Sequence, residues 1–134
     1  MYTLTALCNI WGERFSPLAA ESSTGLVFSQ RNEPFEVGKG GRYANKPIPY
    51  GAATVDASSP TGTSSNLDSL LEIIEPQISS LRLLGAEEIV LHCDVFHNGQ
   101  CNFEFSKSQL DRIARLKLPL TISCYRDDKR FPES

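Results

Sequence analysis

The stretch IVLHCDVFHNGQCNFEF, Ile89 to Phe105, gathers the residue types that carry chemistry. It holds both histidines of the chain, His92 and His97, and two of its four cysteines, Cys93 and Cys101. Asp94 and Glu104 add carboxylates. Imidazole, thiolate and carboxylate are the ligands of zinc and the common general acids and bases. Whether they can act together depends on the side of the backbone each one takes.

Two alternating runs flank Asn98-Gly99, so the stretch reads as a hairpin. A two-residue turn would set Val95 against Asn102 and Cys93 against Glu104, mixing core with solvent along the ladder. A three-residue loop, His97-Asn98-Gly99 with Gly99 left-handed, sets Val95 against Cys101, Cys93 against Phe103 and Leu91 against Phe105. One face is then wholly apolar, and the other carries His92, Asp94, Phe96, Gln100, Asn102 and Glu104. This second register is self-consistent and is the one expected. It sends both cysteines to the core, His92 to the solvent face and His97 to the turn. The four groups then cannot converge on one ion, and no ligand pair has zinc-finger spacing, so no metal site is expected.

The expected site is the polar face, with His92 across from Glu104, Asp94 across from Asn102, and Phe96 beside them. An exposed aromatic among paired polar groups suits a surface that meets a protein partner. The same groups suit acid–base work or a divalent ion. The alternative is therefore a small-ligand-binding protein or a metal-dependent enzyme built around His92. No catalytic residue and no cofactor is assigned. Glu36 to Pro47, EVGKGGRYANKP, lacks the G-x-x-x-x-G-K-[ST] spacing of a phosphate cradle and reads as a basic loop. No serine lies in G-x-S-x-G. Trp11, at a strand end, reads as an edge-of-core residue.

The elements that must position these groups are legible by periodicity. Thr3 to Trp11 alternates, with Leu4, Ala6, Cys8 and Ile10 on one face. Ser16-Pro17 reads as an N-cap and first helical residue, for a helix over Pro17 to Ser23 that Gly25 stops. Leu26 to Ser29 reads as a short strand. Residues 30–49 read as a long loop with pairing around Phe35 to Val37, and Tyr50 to Ala57 as a strand. Ser58 to Ser65 is a polar linker. From Asn66, the residues Leu67, Leu70, Leu71, Ile74, Ile78 and Leu81 share one helical face, and Gly85 ends the helix. Pro76 predicts a kink within it. Strands are expected over Glu88 to Phe96, Gln100 to Ser106 and Leu120 to Arg126. Ser106 and Gln109 form a capping box for a helix ending before Pro119. The charged tail from Asp127 is expected to fray.

From residue 50 the order is βαββαβ, the ferredoxin-like order, preceded by an extra strand and helix. The fold class expected is α+β: a single-layer, mostly antiparallel sheet with helices on one face, as one domain over residues 1–134. The chain has 134 residues, 40% hydrophobic and 22% charged, with a formal net charge of -3, which is enough apolar content for a core without staples. A mildly acidic balance argues against nucleic acid as a partner, even with Arg31, Lys39, Arg42 and Lys46 in one region. No apolar run reaches membrane-spanning length, and Met1-Tyr2-Thr3-Leu4 does not open like a secretory signal, so a cytoplasmic location is expected. There the four cysteines read as reduced, small hydrophobic residues of the core.

Several segments together resemble the bacterial family known as domain of unknown function 4279. They are the opening strand ending in Ile10-Trp11-Gly12 with Phe15, Pro17 and Gly25-Leu26 after it, the amphipathic helix interrupted at Glu75-Pro76, and the run from Phe103 to Tyr125. The resemblance implies a small, non-catalytic bacterial protein. It supplies no catalytic residue or cofactor to carry over. The function expected is that of a small cytoplasmic partner-binding protein, in its specific form an immunity protein neutralising a cognate bacterial toxin, through His92, Asp94, Phe96, Asn102 and Glu104.

Overall fold

The structure, a computed structural model, describes residues 2–57 and 66–129. The expected polar linker over Ser58 to Ser65, and the tail beyond Lys129, lie outside these residues. The fold is α+β, with a single five-stranded sheet in the order β2-β3-β1-β4-β5. Its strands are β1 (Tyr2–Gly12), β2 (Gln30–Asn32), β3 (Gly51–Asp56), β4 (Glu88–His97) and β5 (Leu120–Arg126). All pairs are antiparallel except β4 with β5, which is parallel.

Among the described residues, four α-helices cover one face. α1 is Pro17–Thr24, α2 is Leu67–Ile74, α3 is Ile78–Leu83 and α4 is Lys107–Leu116. Their apolar residues, among them Ala20, Leu70, Leu81 and Ile113, join one cluster with Ala6, Cys8, Ile10, Val55, Leu91, Cys93 and Val95 from the strands. The strand members are every second residue, as the pleat requires. The helix starts follow the local signals. The Ser16 hydroxyl accepts the Ala19 N–H of α1, and Gly25 stops that helix with φ 76°. Ser106 and Gln109 exchange both capping-box bonds at α4. The single kinked helix expected here is instead two: at Pro76 the chain tightens into a 3-10 turn, Glu75–Gln77, that joins α2 to α3. Pro76 has no N–H to give to the preceding turn, and the tighter winding absorbs that loss without exposing the apolar stripe.

The largest correction concerns the hairpin. Residues 100–106 form no strand, so the run from residue 50 contains strand, helix, strand, helix, strand and lacks one member of the ferredoxin-like order. The reason is competition for β4. On one side β4 pairs with β1 from Tyr2↔His97 to Trp11↔Glu88, and on the other with β5 from Leu91↔Leu120 to His97↔Arg126. A strand has two hydrogen-bonding edges, and both are taken, one by the ten-pair ladder with β1 and the other by the seven-pair ladder with β5. Segment 100–106 instead begins the return crossover that a parallel neighbour needs. Cys101, Phe103 and Phe105 still turn inward, packing against the helix-side core, so the alternation was real but belonged to an extended connector.

One smaller correction lies in the first half, next to a loop that pairs where it was expected to. Leu26 to Ser29 is not a strand; the short edge strand is Gln30–Asn32. The loop after it closes on itself, with a bridge between Val37 and Pro47 and backbone bonds from Phe35 N–H to the Ile48 carbonyl (2.7 Å) and from Gly38 N–H to the Lys46 carbonyl (2.8 Å). Glu33, just past β2, reaches back to α1 and accepts the Ser16 hydroxyl and the Leu18 N–H. A carboxylate there also complements the positive end of the helix dipole.

Asn66 is a buried polar residue whose packing role the sequence did not single out. Its side-chain carbonyl accepts the Ala6 N–H at 2.6 Å, and its amide donates to the Ala57 carbonyl at 2.6 Å. It stands just past the last β1–β3 pair, Leu7↔Asp56. One side-chain amide thus replaces the peptide that a longer β3 would supply, and satisfies backbone groups that burial would otherwise leave unpaired.

Candidate functional site

The face of the sheet without helices presents the other half of each strand. Its rows follow from the register. Asn32, Ala52, Trp11 and Glu88 form one row, and Gln30, Thr54, Asn9 and Val90 the next. Asp56, Leu7, His92 and Thr121 follow, then Thr5, Asp94 and Ser123, then Thr3, Phe96 and Tyr125. Of the predicted residues, His92, Asp94 and Phe96 come together here. Asn102 and Glu104 do not. They are exposed on the connector, whose inward residues pack on the helix-bearing side. The partners expected for His92 and Asp94 were wrong for the reason already given: the strand carrying Glu104 and Asn102 does not pair with β4.

His92 is held at both ring nitrogens. Nε2 lies 2.8 Å from Asp94 Oδ1, and Nδ1 lies 2.6 Å from Thr121 Oγ1. Asp94 sits two residues along the same strand, so the pleat places it on the same face; Thr121 is the cross-strand neighbour on β5. The carboxylate accepts only, so Nε2 donates to it, while Nδ1 bonds the Thr121 hydroxyl oxygen, which also lies 3.4 Å from the Leu91 carbonyl. Acid, imidazole and hydroxyl therefore form a continuous chain. Phe96 and Tyr125 stack at the end of the face, with centroids 5.3 Å apart and planes 23° apart. His97 takes no part; its Nδ1 meets the Gly99 carbonyl at 3.2 Å.

Directly beneath, Cys93 points into the core. Burial, with Asp94 second, pushes its thiol up to about 11, and burial alone pushes Cys8 up to about 12. Both are inert as nucleophiles near neutral pH. All four cysteines are free, but not all are core residues: Cys101 is half-buried, and Cys124, on edge strand β5, is exposed. Among the described residues, no cluster of three or more His, Cys, Asp or Glu could hold a metal ion.

At the opposite end of the face lies a depression of about 400 Å³, lined by Asn9, Trp11, Tyr50, Ala52 and Thr54. Ala52 provides a low floor between Trp11 and Tyr50, and the Thr54 hydroxyl donates to Asn9 Oδ1 at 2.9 Å. Trp11 is 37% exposed, more than an edge-of-core role requires. Sequence reading missed this hollow because it depends on an alanine that neighbours Trp11 only through the β1–β3 register. The helical side has its own depression of about 700 Å³, bordered by Glu75, Asp111, Arg112 and Arg115. Its charges are mixed, and Arg112 is tied to Glu75 at 2.7 Å.

No described helix is long and apolar enough to cross a membrane. Compared with protein-family models, with curated proteins and with solved structures, the chain matches none.

Proposed function

We propose that this chain is a small cytoplasmic protein that binds a protein partner on its open sheet face, and that the partner is a basic bacterial toxin neutralised by the contact. The composition of that face carries the reading. Its strand positions include the carboxylates Asp56, Glu88 and Asp94, and the aromatics Trp11, Phe96 and Tyr125, with neither lysine nor arginine among them. Aromatics supply contact area at low entropic cost, and acid charge with no lysine or arginine beside it steers a basic partner toward the face. The helical side interleaves both signs around its depression, with Arg112 tied to Glu75 and Asp68 and Arg115 beside Asp111, so it offers no field of one sign.

The test is affinity capture from the native bacterium with three baits. The wild-type bait should retain a basic protein, more strongly at low salt. An Asp94→Lys/Glu88→Lys bait should lose it, and a helix-side Glu72→Lys bait should keep it. Equal retention by all three baits, or no protein retained by any, would sink the proposal. A toxin reading frame beside this gene would support the specific form; a metabolic operon would count against it.

The Asp94–His92–Thr121 chain favours a second reading, a small-ligand site or an enzyme centred on His92. Elemental analysis and ligand screening of protein purified without a histidine tag separate the two. A stoichiometric ligand or metal that is lost on His92→Ala would favour the second reading.

A further inference from the structure

The two edges of the sheet are built differently. β2 is three residues long, contains Arg31, and is followed closely by Pro34. Shortness, charge and proline are devices that keep an edge from pairing with another chain. β5 is seven residues long, LTISCYR, with no charge, proline or glycine before Arg126. Ile122 and Tyr125, on opposite faces of it, are 44% and 48% exposed.

The ladder fixes where the backbone groups of β5 point. The Leu91 N–H donates to the Pro119 carbonyl, and the Asp127 N–H donates to the His97 carbonyl. With the register from Leu91↔Leu120 to His97↔Arg126, the odd-numbered residues of β5 bond to β4. Alternate residues direct their N–H and C=O to opposite sides of a strand. Leu120, Ile122, Cys124 and Arg126 therefore direct theirs away from β4, on the side where the sheet ends.

We propose that a second copy of this chain occupies that edge, β5 against β5, antiparallel, about a two-fold axis through Ser123. Ser123 is the midpoint of the strand, so this register pairs all seven residues with themselves reversed. Ile122 meets the partner subunit's Cys124 at a hydrogen-bonded position, which uses the outward-pointing groups. The contact is isologous, and an axis normal to the sheet leaves both helical layers on the same side. The charge at the strand end is compatible, because Arg126 lies opposite the partner subunit's Leu120. On the open face, the partner subunit's Tyr125 comes opposite Thr121, the residue that holds His92 Nδ1. Each copy thus adds an aromatic ring to the other's acid–imidazole–hydroxyl row. A foreign strand could use the same backbone groups, but a second copy brings the exposed Ile122 of each chain against the exposed Cys124 of the other and sets no like charges opposite one another.

The test uses the whole chain with no other protein present, so its outcome is separate from that of the partner-binding proposal. Wild type should sediment at twice the mass of one chain, and Ile122→Lys, which places a charge on the edge, at the mass of one. In a Cys124→Ser background, Ser123→Cys should give mostly disulfide-linked dimers on mild oxidation, because opposed non-hydrogen-bonded residues have Cα atoms about 4.5 Å apart, within disulfide reach. Ser22→Cys on α1, in the same background, should not. Circular dichroism checks that each variant folds, which the exposure of Ile122 favours. Amide exchange gives a readout without a cross-link: Ile122 and Cys124 should be protected in wild type and exchange freely in Ile122→Lys, while Thr121, Ser123 and Tyr125 stay protected. A wild type that sediments as one chain overturns the proposal. So does a dimer that survives Ile122→Lys and does not cross-link in the Ser123→Cys variant, or a monomer whose β5 amides gain protection only from a foreign protein.

Discussion

Cys93 and His92 are neighbours in sequence and opposites in setting. Cys93 is fully buried beneath the helices; His92 stands on the open face between Asp94 and Thr121. The same strands make both faces, so backbone pairing does not distinguish them. The covered face is specified by packing and excludes charge. The open face is specified by who stands beside whom, and polar pairs are enough to fill it. A single sheet thereby separates core packing from polar pairing by one residue step.

Charge insertion should give the largest contrast. Cys93→Asp should cost about 3–5 kcal/mol, because it leaves a carboxylate in the core without a partner. His92→Asp should cost under about 1.5 kcal/mol, through lost hydrogen bonds and like charge beside Asp94. Urea denaturation of the pair is decisive, and the opposite ordering would mean that the faces are swapped.

A smaller contrast compares two asparagines. Asn66→Ala should cost about 2–3 kcal/mol, since it strands the Ala6 N–H and the Ala57 carbonyl inside the fold. Asn9→Ala, on the open face, removes one bond to Thr54 that water can replace, and should cost about 0.5–1 kcal/mol. Equal losses would show that the open face is as dry as the covered one.

Alkaline titration probes the covered face alone. Burial raises the Cys8 thiol to about 12 in the folded chain, against an unfolded value of 9. Its contribution is fully present below pH 9. Above that the unfolded thiol ionises while the folded one keeps its proton, so stability should fall by about 1.4 kcal/mol per pH unit toward pH 12. Cys93, raised to about 11, acts in the same direction. Cys8→Ala should flatten the slope; an unchanged slope would place the alkaline sensitivity elsewhere. Thiol labelling makes the last and mildest comparison. Cys101 and Cys124 should be modified in the folded chain, and Cys8 and Cys93 only after unfolding. Four equally reactive thiols would contradict the burial of the first strand.

Local signals were legible in the sequence. Ser16, Gly25, Ser106 and Gln109 each encode a cap within a few residues, and the bounds of β5 could be read directly from its alternation. Gly99 has φ 69°, as the loop chemistry implied, although the hairpin around it is absent. Non-local choices were hidden. The alternation of Cys101, Phe103 and Phe105 shows an apolar side but does not say what it packs against, and nothing local shows that β1 and β5 would take both edges of β4. The site was half legible for the same reason. Asp94 and Phe96 share a strand with His92, so the pleat alone unites them, whereas Thr121 and Tyr125 join them only through the parallel register.

The place of β1 in the sheet has a consequence in time. It lies at the centre, between β3 and β4, yet it precedes both in the chain. During synthesis its two edges and its apolar face must wait for residues as distant as His97. At roughly 5–20 residues per second, that interval lasts on the order of 4–17 s, during which the edge of the central strand that β4 will take stays open even after β3 has arrived at the other.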